Sequence, residues 1–280
     1  MNIFSNRTAS VLTKHGKELV LNEVLNSATG LQVNLTNAYD TDLLGTFTLD
    51  VSRHGSQFDA ARKKAQIGME LLGTDLGLGN EGAFVADPYT GMLPWNIELV
   101  ILIDQKHQLE ISGFSGAPAQ NAHAYVCHWE ELEKFADTAL FPSHHLVIKP
   151  TDEYHPKSVK NITDKQQLRD AFQWASSNSS KGVVYVENDL RAFANPTRMK
   201  NIRQATIDLA SKMNSLCPAC RMPGYWIEDI QRGLPCNACG MPTDQEIAKK
   251  WGCLKCEHSD VEGMKVLRFA NPSQCKYCNP

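Results

Sequence analysis

Four CxxC motifs close this 280-residue chain, and they hold eight of its nine cysteines within residues 217–278. Their cysteines are Cys217, Cys220, Cys236, Cys239, Cys253, Cys256, Cys275 and Cys278. A CxxC motif lets two thiolates reach one ion from a tight turn, and two such motifs complete a tetrahedral Zn²⁺ site. Four motifs therefore predict two zinc sites of four cysteines each. Because four thiolates leave no open coordination position, both sites are expected to be structural.

The spacing of the motifs bears on how they pair. Fifteen residues separate Cys220 from Cys236, and eighteen separate Cys256 from Cys275. Both gaps suit a ribbon in which one cysteine turn folds back on the next. We therefore predict sequential pairing, with the first two motifs on one ion and the last two on the other. Interleaved pairing is the alternative that the sequence leaves open.

The tail, residues 206–280, is predicted to be a small double zinc ribbon. So short a segment has little apolar core, so the metal would supply much of its folding free energy. Its nine Lys and Arg residues against eight Asp and Glu residues are weak support for phosphate binding. Tyr225, Trp226 and Trp251 could stack on bases, but ribbon cores commonly bury such rings. Nucleic acid and protein are thus the two partners to consider, with a structural or protein-contact role favoured.

Bulk composition excludes several classes of protein. A net charge of -3 gives no general attraction for nucleic acid or an anionic membrane. No apolar run approaches the roughly 20 residues of a membrane span, and no signal peptide is recognisable at the N-terminus. We expect a cytoplasmic protein with no membrane partner, in which thiols hold metal rather than form disulfides. A disulfide-bonded secreted tail is the alternative, and the oligomeric state is not indicated.

The body, residues 1–205, alternates between strand-like and helix-like segments. Strands are predicted near residues 8–12, 31–35, 76–84, 97–103, 108–114 and 183–186, and helices near 18–25, 58–72 and 199–213. This order predicts an α/β fold with a mixed sheet and flanking helices, followed by the zinc-ribbon domain.

The first polar cluster of the body lies between a predicted strand and a predicted helix. It consists of Thr13, Lys14, His15, Gly16 and Lys17. The glycine frees the backbone, and the start of the helix offers unpaired N–H groups to an anion. With two lysines, this combination suits phosphate, although an ordinary solvated turn would have the same composition.

The second cluster pairs Asp40 with Asp42, shortly before residues 45–47. The basic residues on the helix that follows are Arg62, Lys63 and Lys64. Paired carboxylates near phosphate are typical ligands of Mg²⁺, and the basic side chains could hold further phosphate oxygens. The alternative is an acidic helix N-terminal region followed by a solvated basic face.

Two further segments could carry chemistry. Glu81 lies between glycines at what we expect to be the end of an extended segment, where ligands gather in open α/β sheets. It could hold a metal or deprotonate water, or it could be a turn acid. Arg191 and Arg198 could recognise phosphate or carboxylate with their guanidinium forks. Their alternative is intramolecular ion pairing beside a helix that starts near Pro196.

These motifs carry two resemblances. The chain resembles an uncharacterised bacterial domain family with no assigned activity, through residues 13–18, 40–47, 80–82, 191–199 and the cysteine motifs. Over roughly residues 8–115 the order of motifs is also similar to the inosine/xanthosine triphosphate pyrophosphatases. That similarity implies that Lys17 would hold phosphate, and that Asp40 or Asp42 with Glu81 would hold Mg²⁺.

Three hypotheses follow for the function. The first is a Mg²⁺-dependent hydrolase that splits a phosphoanhydride of a nucleotide-like substrate, with Asp40, Asp42 and Glu81 as catalytic residues. The second is a binding module that senses a nucleotide without cleaving it. The third is a zinc-stabilised interaction scaffold that binds no nucleotide. Hydrolysis requires the acids to converge on one ion, whereas binding requires only the cations.

Overall fold

The computed structural model describes residues 2–39, 56–263 and 268–279. The chain divides into two units, one formed by Met1–His107 with Ser112–Ala210 and the other by Gln108–Ile111 with Ser211–Pro280. We call the first the body unit and the second the tail unit. The predicted acids Asp40 and Asp42 lie outside the described residues.

A five-stranded mixed sheet organises the first half of the chain. Its strands are β1 (Thr8–Leu12), β2 (Gln32–Thr36), β3 (Leu76–Ala86), β4 (Pro94–Asp104) and β5 (Leu109–Pro118). The order is β2-β1-β3-β4-β5, in which β1 runs parallel to β2 and β3, whereas β3 and β4 are antiparallel. Helices α1 (Lys17–Thr29) and α2 (Gln57–Leu72) follow β1 and β2 along the chain. The predicted mixed α/β fold is confirmed.

Helix α2 is specified by signals at both of its ends. The side chain of Ser56 accepts a hydrogen bond from the backbone N–H of Asp59, and the Asp59 carboxylate accepts one from the backbone N–H of Ser56, which forms a capping box. Gly73 ends the helix in the left-handed conformation. The helix packs closely on β3, where a Cβ on Gly79 would lie 1.9 Å from the carbonyl oxygen of Ala61. Glycine at position 79 therefore permits this close approach.

A second, four-stranded sheet lies in the later part of the body unit. Its strands are β6 (His123–Val126), β7 (Leu146–Pro150), β8 (Val159–Ile162) and β9 (Val184–Asn188), in the order β6-β9-β7-β8 with antiparallel neighbours. Helices α3 (Trp129–Thr138) and α4 (Lys165–Asn178) contribute Leu132 and Leu168 to its apolar core. Of these four strands only β9 was predicted from the sequence, and like the other three it is no more than five residues long.

Helix α5 (Pro196–Asn214) follows β9 after a short 3₁₀ turn, Ala192–Ala194. The side chain of Asn195 accepts a hydrogen bond from the backbone N–H of Arg198, and Pro196 occupies the first turn, so the predicted helix start is confirmed. Among the helices of the described residues, none is both long and apolar enough to cross a membrane.

The tail unit contains a three-stranded antiparallel sheet. Its strands are β10 (Trp226–Arg232), β11 (Glu246–Gly252) and β12 (Ser259–Gly263). The β10–β11 hairpin places Trp226 opposite Gly252 at one end and Arg232 opposite Glu246 at the other. The four CxxC motifs lie before, between and after these strands, which places them at the two ends of the hairpin.

Candidate functional site

The eight cysteines of the CxxC motifs form two clusters. One contains Cys217, Cys220, Cys253 and Cys256, and the other contains Cys236, Cys239, Cys275 and Cys278. Within each cluster all four sulfur atoms lie within 4.8 Å of one another. The prediction of two four-cysteine sites is therefore confirmed, but the prediction of sequential pairing is wrong, because the first motif joins the third and the second joins the fourth.

The antiparallel hairpin explains this interleaving. Strand β10 carries the chain from the first motif to the second, and β11 carries it back again. Because Trp226 pairs with Gly252, the third motif starts directly beside the end of β10 that follows the first motif. The length of the gaps between motifs does not reveal this return, since it depends on which strands pair.

The two clusters fit Zn²⁺ in both donor type and size. A tetrahedral site with zinc–sulfur bonds of about 2.3 Å has sulfur–sulfur edges of about 3.8 Å. In the first cluster the Cys217–Cys256 and Cys220–Cys253 sulfur distances are 3.8 Å and 3.5 Å. In the second cluster the Cys236–Cys278 and Cys239–Cys275 distances are 3.9 Å and 3.7 Å. The cysteines could thus hold two structural zinc ions.

Backbone N–H groups within the motifs favour the thiolate forms that a metal requires. Ala238 donates to the Cys236 sulfur at 3.4 Å, and Lys255 donates to the Cys253 sulfur at 3.3 Å. The pKa of Cys236 is lowered to about 7, mainly by the backbone N–H of Cys239. Such hydrogen bonds stabilise negative charge on sulfur and orient the ligand.

In the body unit, the turn between β1 and α1 presents the first predicted cluster. The hydroxyl of Thr13 accepts a hydrogen bond from the backbone N–H of His15 at 3.2 Å, which shapes the turn. Gly16 then begins α1 in the left-handed conformation, with φ of 68°, and within the described part of the chain no side chain caps the helix. The start of α1 therefore keeps backbone N–H groups that no cap satisfies.

Four cations gather at this turn, and we call them the cation cluster. They are Lys17, Lys64, Arg191 and Arg198. Burial, followed by the repulsion of all four cations, lowers the pKa of His15 to about 4, so its imidazole is neutral at physiological pH. Lys17 is only 6% exposed, and burial followed by repulsion from Arg198 and Lys64 lowers its pKa to about 7.

Carboxylates offset three of the four positive charges. The three ion pairs are Lys64–Glu81, Arg191–Asp189 and Arg198–Glu98. Within residues 2–39, 56–263 and 268–279, no side chain or carbonyl accepts a hydrogen bond from the Lys17 ammonium. Lys17 is thus a buried cation that no described acid pairs with directly, beside an uncapped helix N-terminus.

The pair between Arg198 and Glu98 is the deepest part of this site. Glu98 on β4 is fully buried and accepts hydrogen bonds from Asn80 at 3.0 Å, Asn96 at 3.1 Å and the Arg198 Nε at 2.8 Å. A Cβ on Gly82 would lie 2.2 Å from Glu98 Oε1 and 2.6 Å from an Arg198 guanidinium nitrogen. Glycine at position 82 therefore makes room for the pair.

Sequence reasoning missed Glu98 as a member of the site. The signal was an acid at the second position of an otherwise apolar strand-like run, Ile97–Ile103. A carboxylate in such a strand must be paired or hydrogen-bonded if both faces are buried. The partner could not be read from the sequence, because Arg198 lies 100 residues further along the chain.

The expected position of Glu81 at the end of an extended segment is wrong. Residues Asn80 and Glu81 lie in the middle of the eleven-residue strand β3, and Glu81 is 4% exposed. The flanking glycines do not form a turn; they allow α2 and the Arg198 guanidinium to approach the strand closely. Glu81 is paired with Lys64.

The remaining predicted cations are placed differently from Lys17. Arg62 forms an ion pair with Asp59 on its own helix at 3.2 Å, and both side chains are substantially exposed. Lys63 and Lys14 are exposed. Of the three predicted basic residues on α2, Lys64 is therefore the one that burial and charge place beside Lys17.

Comparison with known families adds one result. The model of a family described as a domain of unknown function (DUF6671) matches residues 64–280, and the chain belongs to this family. The predicted resemblance to an uncharacterised domain family is thus confirmed, although residues 13–18 and 40–47 lie outside the matched span. No curated protein matches the chain, and the similarity to inosine/xanthosine triphosphate pyrophosphatases stays a prediction.

Proposed function

We propose that this member of the DUF6671 family binds a phosphate-bearing, nucleotide-like small molecule at the cation cluster. The observation that carries the proposal is Lys17, which is buried at the start of α1 without a hydrogen-bond acceptor among the described residues. Uncapped N–H groups and a lysine at one helix N-terminus are the combination that binds phosphate oxygens in many proteins.

The charge balance supports the same ligand. Burying a charged group is unfavourable unless an opposite charge or hydrogen bonds compensate it. Glu81, Glu98 and Asp189 are paired with other cations, so an anion from solution would supply the missing partner of Lys17. An anion would also relieve the repulsion from Arg198 and Lys64 that lowers the pKa of Lys17.

The test is calorimetric titration of the zinc-loaded full chain with tripolyphosphate. A hydrogen bond to a charged group contributes about 1.5–3 kcal/mol, so Lys17→Met should weaken binding by roughly 10- to 100-fold. Lys134→Met makes the same change at an exposed lysine of α3 and should leave the affinity unchanged. Equal affinities of wild type and Lys17→Met for tripolyphosphate, or no binding by wild type, would contradict the proposal.

Hydrolysis of a phosphoanhydride is a second candidate function. It is favoured by two buried carboxylates, Glu81 and Glu98, whose charges act on Lys17 and thus lie near the proposed phosphate site. Asp40, Asp42 and Glu81 would hold Mg²⁺, which would supply charge neutralisation of the phosphate oxygens and a polarised water. Glu81 would first have to exchange Lys64 for the metal, so binding without hydrolysis is the better-supported function.

Release of pyrophosphate and phosphate from a panel of nucleoside triphosphates with Mg²⁺ separates the two candidates. Turnover that disappears in Glu81→Gln and Asp42→Asn would establish hydrolysis. Binding that persists with no turnover at any Mg²⁺ concentration would leave the protein a nucleotide-binding module.

For the tail unit we propose a zinc-stabilised surface that contacts a protein partner. Tyr225 and Trp251 stack on each other at 5.8 Å, and Trp226 meets Trp251 edge-on at 5.9 Å. The Tyr225 hydroxyl donates to Asp260, and the Trp251 indole donates to Glu262. Carboxylates beside the rings disfavour nucleic acid phosphates, so titration with labelled single-stranded DNA at low salt should show no binding.

A further inference from the structure

Phe193 lies beside the cation cluster, two residues after Arg191 in the chain. It is the central residue of the 3₁₀ turn Ala192–Ala194, whose two alanines are buried, yet Phe193 itself is 40% exposed. A large apolar ring that its own turn presents to solvent contributes little to the core. What sets Phe193 apart from other exposed apolar side chains is its set of neighbours.

The ring of Phe193 is the centre of a small aromatic surface, which we call the aromatic shelf. His15 lies 5.6 Å from Phe193 between ring centroids at 30°, and His145 lies 6.1 Å away at 69°. The guanidinium of Arg191 lies 4.8 Å from the centre of the Phe193 ring. His145 is held by Asn161, whose side-chain oxygen lies 2.8 Å from its Nδ1.

The aromatic shelf is continuous with the cation cluster. His15 precedes Lys17 by two residues on the same turn, and Arg191 belongs to the cation cluster and lies over the shelf. The Nδ1 atom of His15 is buried and has no hydrogen-bond partner among the described residues. A flat π surface, a buried polar atom and a buried lysine thus share one corner of the body unit.

We propose that the aromatic shelf stacks against the base of a nucleoside oligophosphate whose phosphates occupy the cation cluster. This inference rests on the proposed function and specifies its ligand class. An oligophosphate without a nucleoside has no base that could stack on the aromatic shelf, whereas a nucleotide has one. Stacking of a base on an aromatic side chain strengthens binding by roughly 5- to 150-fold and tolerates different bases. Phe193 is therefore the residue that distinguishes a nucleotide from other phosphates.

The experiment compares the binding of tripolyphosphate and ATP to the full zinc-loaded chain and to three variants. Phe193→Ala should weaken ATP binding by about tenfold or more and leave tripolyphosphate binding unchanged. Phe193→Trp should retain ATP affinity, since it keeps the π surface. Tyr154→Ala removes an exposed ring elsewhere in the body unit and should change neither affinity.

The remaining outcomes test base stacking on the aromatic shelf and phosphate binding at the cation cluster separately. If Phe193→Ala leaves ATP binding unchanged, or weakens ATP and tripolyphosphate equally, the shelf does not stack a base, whereas the anion site stands. If wild type binds ATP through Phe193 but does not bind tripolyphosphate, the shelf stands and the phosphate site is wrong. If wild type binds neither, both proposals fall.

Discussion

The tail unit and the body unit both concentrate like charges, and they balance them differently. In the tail unit each cluster brings four cysteine thiols together, and a metal ion is the counter-charge that fits their spacing. In the body unit the cation cluster brings together two lysines and two arginines, and three carboxylates of the same unit balance most of the charge. Lys17 is the member whose direct counter-charge is not supplied by a described side chain.

The difference shows why the sequence predicts the metal sites as complete clusters but predicts the cation cluster only residue by residue. The metal ligands of the tail unit are all cysteines at a fixed local spacing, so the CxxC motif predicts a metal site without any knowledge of the fold. The cation cluster draws residues 17, 64, 191 and 198 from α1, α2, α5 and the turn after β9. The sequence indicates these residues one at a time, and only the structure shows that their charges act on the same turn.

The largest effect should come from removing the metal. Structural zinc contributes about 10–16 kcal/mol in small zinc modules, so a strong chelator should unfold β10, β11 and β12. The body unit has its own apolar core and should keep its hydrogen-exchange protection in β1, β3 and β7. Hydrogen exchange with mass spectrometry measures both units in one sample. If the tail unit keeps its hydrogen-exchange protection after complete zinc removal, its folding does not depend on the metal and the prediction is wrong.

Paired cysteine substitutions test the interleaved arrangement. Cys220→Ser with Cys253→Ser damages one site, so the protein should retain one zinc ion per chain. Cys220→Ser with Cys239→Ser damages both sites, so both ions should be lost or weakly held. Sequential pairing predicts the reverse pattern. Zinc released per chain, measured with a colorimetric chelator, decides between the two arrangements.

Breaking the buried ion pair of the body unit should have the next largest effect. Arg198→Met leaves the Glu98 carboxylate buried without its cation, which typically costs about 3–5 kcal/mol. Arg203→Met on the same helix removes an exposed pair with Glu23 and should leave stability nearly unchanged, because solvent screens such a pair. Urea unfolding of both variants provides the comparison. Similar losses in the two variants would contradict a special role for the buried pair.

The smallest effect concerns pH. The pKa of Lys17 is lowered to about 7, so its positive charge is lost as pH rises through neutrality. Sulfate does not titrate in this range, and its affinity should fall several-fold between pH 6 and 9, with a midpoint above the pKa of the empty site because the anion favours the ammonium form. The charged groups that act on Lys17 are Arg198, Lys64, Glu98 and Glu81.

Lys17→Arg provides the matched control for this pH dependence. A guanidinium stays protonated over the whole range, so sulfate affinity in this variant should be nearly constant. A wild-type profile as flat as that of Lys17→Arg would show that Lys17 does not titrate near neutrality. The imidazole of His15, with its pKa near 4, stays neutral throughout and should not contribute.

Local patterns predicted most of the first sheet. Strand β1 was predicted over 8–12 and is found over Thr8–Leu12, and the predicted helix 58–72 is found as Gln57–Leu72. These elements have clear periodicity and strong end signals such as the Ser56 capping box. The second sheet was largely missed, because its short strands become strands only when they pair with each other across 60 residues of chain.

The sequence alone determined the type and number of metal clusters, since thiol chemistry and the CxxC turn are properties of four adjacent residues. It also determined that the turn at residues 13–17 could present a lysine and a helix start to an anion. Only the tertiary structure decided which motifs share an ion, because the β10–β11 register sets their proximity. It also decided that Glu98 meets Arg198 and that Phe193 meets His15, because such contacts depend on elements that are distant in sequence and adjacent in space.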